Sequence, residues 1–182
     1  MPKWAISLQR KRYGKLRKMS RVIIPASFAF IPSASPSSSS TKRSYNILMT
    51  IVFIDYTHLY YTVIMKTGVP AARSGKFVQI RHGSTEYLVF SPKEFTKYHA
   101  NIVERFCLDK GIEGGYDSGG KRYDISDRAW FVAGGGKYEI DMDKKIIKLF
   151  DDSMAYGKFD ILGLREKILS LPEFYVFTVH IG

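Results

Sequence analysis

The chain has one cysteine, four histidines and two tryptophans in 182 residues, and its first 75 residues contain a single acid. Each scarcity excludes something. With Cys107 alone, no internal disulfide and no cysteine-rich zinc module can form. His58, His82, His99, His180 and the scattered acids show no metal-ligand spacing such as H-x-x-x-H, so the sequence implies no metal and no cofactor. The phosphate-loop spacing G-x-x-x-x-G-K-[ST] is missing as well, because Gly134-Gly135-Gly136-Lys137 runs into Tyr138. Hydrophobic residues at 45% and aromatics at 14% still give a chain able to build a core, and the length suits one domain or a domain with a tail.

The shortage of acids is local. A formal net charge of +11 points at face value to nucleic acid or an anionic membrane. Residues 1–75, however, carry twelve lysines and arginines against Asp55 alone, whereas residues 76–182 carry sixteen charges of each sign. The basic extension holds the whole excess, and no nucleic-acid partner is expected for the neutral domain 76–182. Within the extension, Pro32-Ser33-Ala34-Ser35-Pro36 leads into the serine run 37–40, and such low complexity predicts a largely disordered segment. Residues 47–65 approach the roughly 20 apolar residues that span a bilayer. Asp55 and His58 near their middle argue against a span, since a charge at the bilayer centre costs about 2.5–3.5 kcal/mol. The wealth of Arg and Ser also fits a transit peptide. We favour a dispensable upstream extension, with Met49 and Met65 as alternative starts, on a cytoplasmic protein.

In the neutral segment, 76–81 is β-branched and aromatic and reads as a strand, 86–90 reads as a second, and His82-Gly83-Ser84-Thr85 turns between them. Ser91-Pro92-Lys93-Glu94 has the form of a capping box, and Phe95, His99, Ile102, Val103 and Phe106 follow at helical spacing. The capping box signals a helix start at Pro92, and the helix should stop by Gly111. Residues 114–120 read as a loop, and 129–133, 137–141 and 145–150 as strands. A second helix is expected from Asp160 as N-cap to just before Pro172, and a final strand over 174–181. The sum is an α+β domain with two main helices and a mixed sheet of five to six strands.

Several residues invite chemistry. Arg81-His82-Gly83 at a strand end resembles the RHG motif of the histidine phosphatase superfamily, whose histidine is a phosphate-accepting nucleophile. That family needs a second histidine with more chain after it than Val179-His180-Ile181-Gly182 provides, so a plain turn with a solvated His82 is the better reading. Cys107 lies eight residues, about 12 Å of helix axis, from His99 and forms no dyad with it. A core cysteine is the simpler assignment. His99 alone on an apolar helix face reads first as a buried, satisfied side chain, but its company changes that.

Tyr98-His99-Ala100-Asn101-Ile102, Gly134-Gly135-Gly136-Lys137, Lys144-Lys145-Ile146, Ser153-Met154-Ala155-Tyr156-Gly157 and Lys167-Ile168 with Pro172 follow in an order that resembles the janus family. Its enzymatic members are the small phosphohistidine phosphatases. The resemblance covers about 76–179, and two departures stand out. Lys137 takes the place of the family's arginine, which exchanges a planar bidentate clamp for a point charge. The connection 110–128 is also longer than the family's pattern leads one to expect.

The resemblance implies a monomeric hydrolase that removes phosphate from histidine-phosphorylated proteins without a metal. His99 would act as general base, and Lys76, Tyr98, Ala100, Lys137, Ser153, Met154 and Ala155 would hold the phosphoryl group. The donors would be the backbone N–H groups of His99, Ala100, Ser153 and Ala155 with the ammonium groups of Lys76 and Lys137. Donation by the His99 and Ala100 amides is in tension with a helix that starts at Pro92, so we expect a short turn at 92–95 and the helix from about Tyr98. Strand parity puts Lys76 with Val78 and Ile80 on a covered face, and Lys137 with Glu139 and Asp141 on a polar one. The alternatives are a catalytically silent janus-type domain that binds phosphoproteins and, behind it, an enzyme with His82 as nucleophile.

Overall fold

The computed structural model describes residues 50–182, so the disorder expected of the extension falls mostly outside the described residues. The first element is β1 (Thr50–Asp55), followed by α1 (Tyr56–Leu59), which runs into a π-helical turn (Tyr60–Ile64). Then come β2 (Ala72–His82), β3 (Thr85–Pro92), α2 (His99–Lys110), β4 (Gly114–Tyr116), β5 (Tyr123–Ile125) and β6 (Trp130–Asp141). The chain closes with β7 (Ile146–Phe150), α3 (Leu164–Leu169) and β8 (Thr178–Ile181). Six strands form one mixed sheet in the order β1-β3-β2-β6-β7-β8, and β4 pairs only with β5. The β1/β3 and β7/β8 pairs are parallel and the rest antiparallel. The architecture is a single α+β domain with α2 and α3 as its main helices.

Alternation along the central strands divides the core into two layers. Val78, Ile80 and Val89 face α2 and bury against Ala100, Ile102, Val103 and Phe106. Phe77, Leu88, Phe90, Ile147 and Leu149 face the other way and bury against Phe159, Leu164, Ile168 and Phe174. Each of these Val, Ile, Leu and Phe side chains contributes about 1.5–3 kcal/mol of transfer free energy. A bulge opposite Gln79 and Ile80 adds one residue to β6, so Val132 stays on the α2 face together with Gly135 and Lys137 despite their odd separation.

The helix starts where the tension between the capping box and His99 placed it. Phe95 and Thr96 donate their amides to the Pro92 carbonyl in a turn, and α2 begins after Tyr98, whose own N–H is accepted by Asn101 Oδ1 at 3.1 Å. Gly111 ends the helix in the left-handed conformation, φ 69°.

Four expectations need correction. The domain does not begin at Lys76, because β1 lies in the sheet, with Phe53 stacked on Phe90 at 4.2 Å and tilted against Phe174 at 4.7 Å. From Thr50 on, the span read as bilayer-length is therefore a strand followed by a short helical segment. Asp55, the charge that argued against the membrane, caps α1 through the Thr57 amide and pairs with Arg73 at 2.9 Å. Among the described residues no helix is long and apolar enough to cross a membrane. The expected loop 114–120 contains β4, half of a hairpin. Asp160 does not cap the second helix: its carboxylate takes Arg81 and the Leu162 amide, and α3 starts after Gly163. Only Thr178–Ile181 of the expected last strand is β, and the turn before it sends Phe174 and Phe177 into the core.

Candidate active site

Three glycines in a row at 134–136 let neighbouring segments come closer to β6 than any side chain would permit. A Cβ on Gly134 would lie 2.3 Å from the Lys158 carbonyl oxygen, and one on Gly136 would lie 2.6 Å from that of Phe150. Gly135 sits between the two walls of the site. A Cβ there would lie 3.1 Å from His99 Cδ2, 3.3 Å from Ser153 Cβ and 2.8 Å from the Phe77 carbonyl oxygen. The helix start at His99 and the turn at Ser153 thus meet over one glycine.

His99 is buried, with Nε2 3.0 Å from the carbonyl oxygen of Gly136. A carbonyl only accepts, so Nε2 carries the hydrogen and Nδ1 holds the lone pair. Burial is the main cause that lowers the pKa below its ordinary value; the Gly136 bond opposes it, and the Lys76 charge lowers it further. The ring is accordingly neutral at pH 7, with Nδ1 as its basic nitrogen.

Lys76 and Lys137 are direct partners across β2 and β6, so both project from the α2 face, not from opposite faces as parity along each strand had suggested. Lys76 donates to the Lys97 carbonyl at 2.8 Å, and burial, then Lys93 and Lys137, lower its pKa. Lys137 is held by Asp151 at 2.7 Å, which raises the ammonium's pKa and lowers the carboxyl's. Asp151 has φ 67°, a conformation that Asp tolerates better than most residues. The half-exposed Tyr98 ring lies beneath both Lys76 and Lys97 within cation–π range, their Nζ atoms 5.7 and 5.3 Å from its centroid.

The turn at 153–157 is closed by its own bonds. Ser153 and Gly157 exchange backbone hydrogen bonds at 3.1 and 2.7 Å, and the amides of Ala155 and Tyr156 both donate to Ser153 Oγ at 3.3 Å. The Ser153 and Ala155 amides expected as phosphoryl donors are therefore engaged within the turn; the buried Ser153 hydroxyl keeps its hydrogen to give. The first-turn amides of His99 and Ala100 have no intrahelical acceptor, as in any α-helix. Ala100's side chain is core, and Met154 is fully exposed at the tip of the turn.

Asp151 and the anchoring role of Tyr156 were not read from the sequence. Asp151 follows the Phe150 that pairs with Lys137, so strand register was the signal that would have found it. Tyr156 hooks the turn to β5: its hydroxyl donates to the Tyr123 carbonyl at 2.8 Å and accepts the Tyr123 amide at 3.0 Å.

The other candidates are occupied elsewhere. His82 stacks on Trp130 with centroids 4.2 Å apart, while Arg81 serves Glu86 and Asp160. Cys107 is buried, which pushes its thiol up to about 11. Among the described residues no group of three or more His, Cys, Asp or Glu is placed to hold a metal ion. No protein-family model and no curated protein matches the chain.

Proposed function

We propose that the protein is a cytoplasmic, monomeric protein-histidine phosphatase that hydrolyses the phosphoramidate bond of phosphohistidine without a metal. The observation that carries this reading is His99: a neutral imidazole with Nε2–H committed to Gly136 and Nδ1 as its basic nitrogen, beside helix amides and two lysines. Water attacks phosphorus and gives its proton to His99 Nδ1 as the new P–O bond forms. The P–N bond breaks, the departing imidazole nitrogen takes a proton from solvent and His99 returns its own to solvent, so phosphohistidine and water become histidine and inorganic phosphate. The His99 and Ala100 amides, the Ser153 hydroxyl and Lys76 stabilise the phosphoryl oxygens. Lys137 joins them only by exchanging Asp151 for phosphate.

The test is metal-free hydrolysis of phosphohistidine by the full chain and by His99→Ala. We expect turnover from the wild type and a loss of at least about a hundredfold in the variant, in line with general base catalysis. Equal turnover by the two would refute the mechanism. Neutralisation of Lys137 by Asp151 favours a second reading, a phosphoprotein-binding domain without turnover, for which phosphopeptide would bind and remain intact.

A further inference from the structure

Beside the Ser153 turn lies a groove of about 310 Å³ between the β4–β5 hairpin and the start of β6. Its walls combine aromatic side chains, Tyr123, Trp130, Tyr156 and the exposed Phe131, with Arg122 and Arg128. Arg122 is already committed: its guanidinium pairs with Asp124 at 2.8 Å and lies over the Tyr156 ring at 5.4 Å. Arg128 is exposed and, among the described residues, has no ion-pair partner. Arg122 and Asp124 cancel, so the groove presents one uncompensated positive charge next to an aromatic wall.

The groove is tied to the site on both sides. Tyr156 belongs to the 153–157 turn and also lines the groove. On the far side the hairpin is pinned to α2, where Tyr116 donates to Glu104 at 2.8 Å and accepts from Asn101, two residues after His99, at 2.9 Å. Along β6, Val132 in the groove and Gly135 under His99 are three residues, about 10 Å, apart and on one face. An extended polypeptide advances about 3.3 Å per residue, so a residue two to four positions from one bound at His99 would lie over the groove.

The geometry points to a substrate subsite: the groove takes the polypeptide flanking the phosphorylated histidine and selects an acidic side chain there through Arg128. This rests on the phosphatase reading and adds the sequence context that the substrate must carry. An acidic flank completes the charge of the groove, and its neighbours cover Phe131. A lysine at the same place meets Arg128 as a like charge.

Two phosphohistidine peptides identical except for Glu or Lys three residues from the phosphohistidine, together with free phosphohistidine, test this with wild type, Arg128→Ala and Arg128→Glu. For the wild type, kcat/KM should favour the Glu peptide about fivefold, the size that attraction and repulsion at one exposed charge pair supply. Arg128→Ala should bring the ratio to about one and Arg128→Glu should invert it, with turnover of free phosphohistidine unchanged in both. Equal rates for the two peptides on an active wild type would overturn the subsite. No turnover of free phosphohistidine would sink the phosphatase reading instead. Fluorescence anisotropy of the same peptides, carrying a hydrolysis-resistant phosphonate analogue, then decides the groove alone. Arg128-dependent preference for the Glu peptide supports it, and equal affinity, or Arg128-dependent capture of a single-stranded oligonucleotide without that preference, overturns it.

Discussion

Gly135→Ala adds one methyl group at the point where the two walls of the site meet. Its Cβ would lie 3.1 Å from His99 Cδ2 and 2.8 Å from the Phe77 carbonyl oxygen. Carbon pairs rest at about 3.5–4.0 Å, so the imidazole must retreat by at least about 0.4 Å. The Phe77 carbonyl belongs to the β2 ladder, and the buried ring is held by its bond to Gly136, so neither neighbour yields freely. Overpacking of this kind costs about 1–3 kcal/mol, which lowers Tm by about 3–10 °C in a domain of this size. Because displacement of a reacting group by about 1 Å costs up to a hundredfold, kcat/KM for phosphohistidine should fall by about tenfold or more. The assay is thermal unfolding paired with initial rates, with Gly115→Ala as control, since a Cβ there meets nothing within 4 Å. Wild-type Tm and wild-type kinetics in Gly135→Ala would refute the packing described at this glycine.

Other consequences follow from the same geometry. Burial holds the His99 pKa below 6.5, so kcat/KM should stay level around neutral pH and decline only below 6.5; a decline centred above 6.5 would remove His99 as the base. The unfolded chain takes up that proton first, so the stability contribution is fully present above pH 6.5 and is lost as pH falls from 6.5 through the lowered folded pKa. Urea titrations should show His99→Gln losing less stability than wild type across that window. Glu86 is fully buried and receives Arg81, Lys167 and Gln79 at 3.0–3.1 Å, so Glu86→Gln should cost about 2–4 kcal/mol by denaturant unfolding. Arg81 and Lys167 are partly exposed, which places the loss below that of a fully enclosed pair. Lys137→Arg supplies a planar fork and should raise kcat/KM for phosphohistidine severalfold; no gain would show that this position does not touch phosphate.

What the sequence made legible was local chemistry. The β-branched residues of β2 and β3 and the helical spacing after Tyr98 each announce their element, and the segments around His99, Gly135 and Ser153 were singled out before any geometry joined them. What stayed hidden depended on partners far along the chain. Residues 51–54 are a continuous apolar run with no alternation, which reads equally as part of a span or as a parallel strand until β3 is beside it. Gly114-Gly115-Tyr116 carries a loop composition and becomes a strand because Tyr123–Ile125 pairs with it. Asp160 has every local mark of an N-cap, yet Arg81, 79 residues away, takes its carboxylate. The commitment of Lys137 to Asp151 likewise follows from the pairing of β6 with β7.

The parallel strand β1 bears on where translation of a working chain can start. Initiation at Met49 would leave all of Thr50–Asp55 to cover β3, whereas initiation at Met65 would delete that strand together with α1. Leu88, Val89 and Phe90 would then form an uncovered sheet edge, and Phe90 would lose the ring of Phe53. A bare, apolar edge of that kind recruits further strands, so the shorter product would emerge from synthesis prone to self-association.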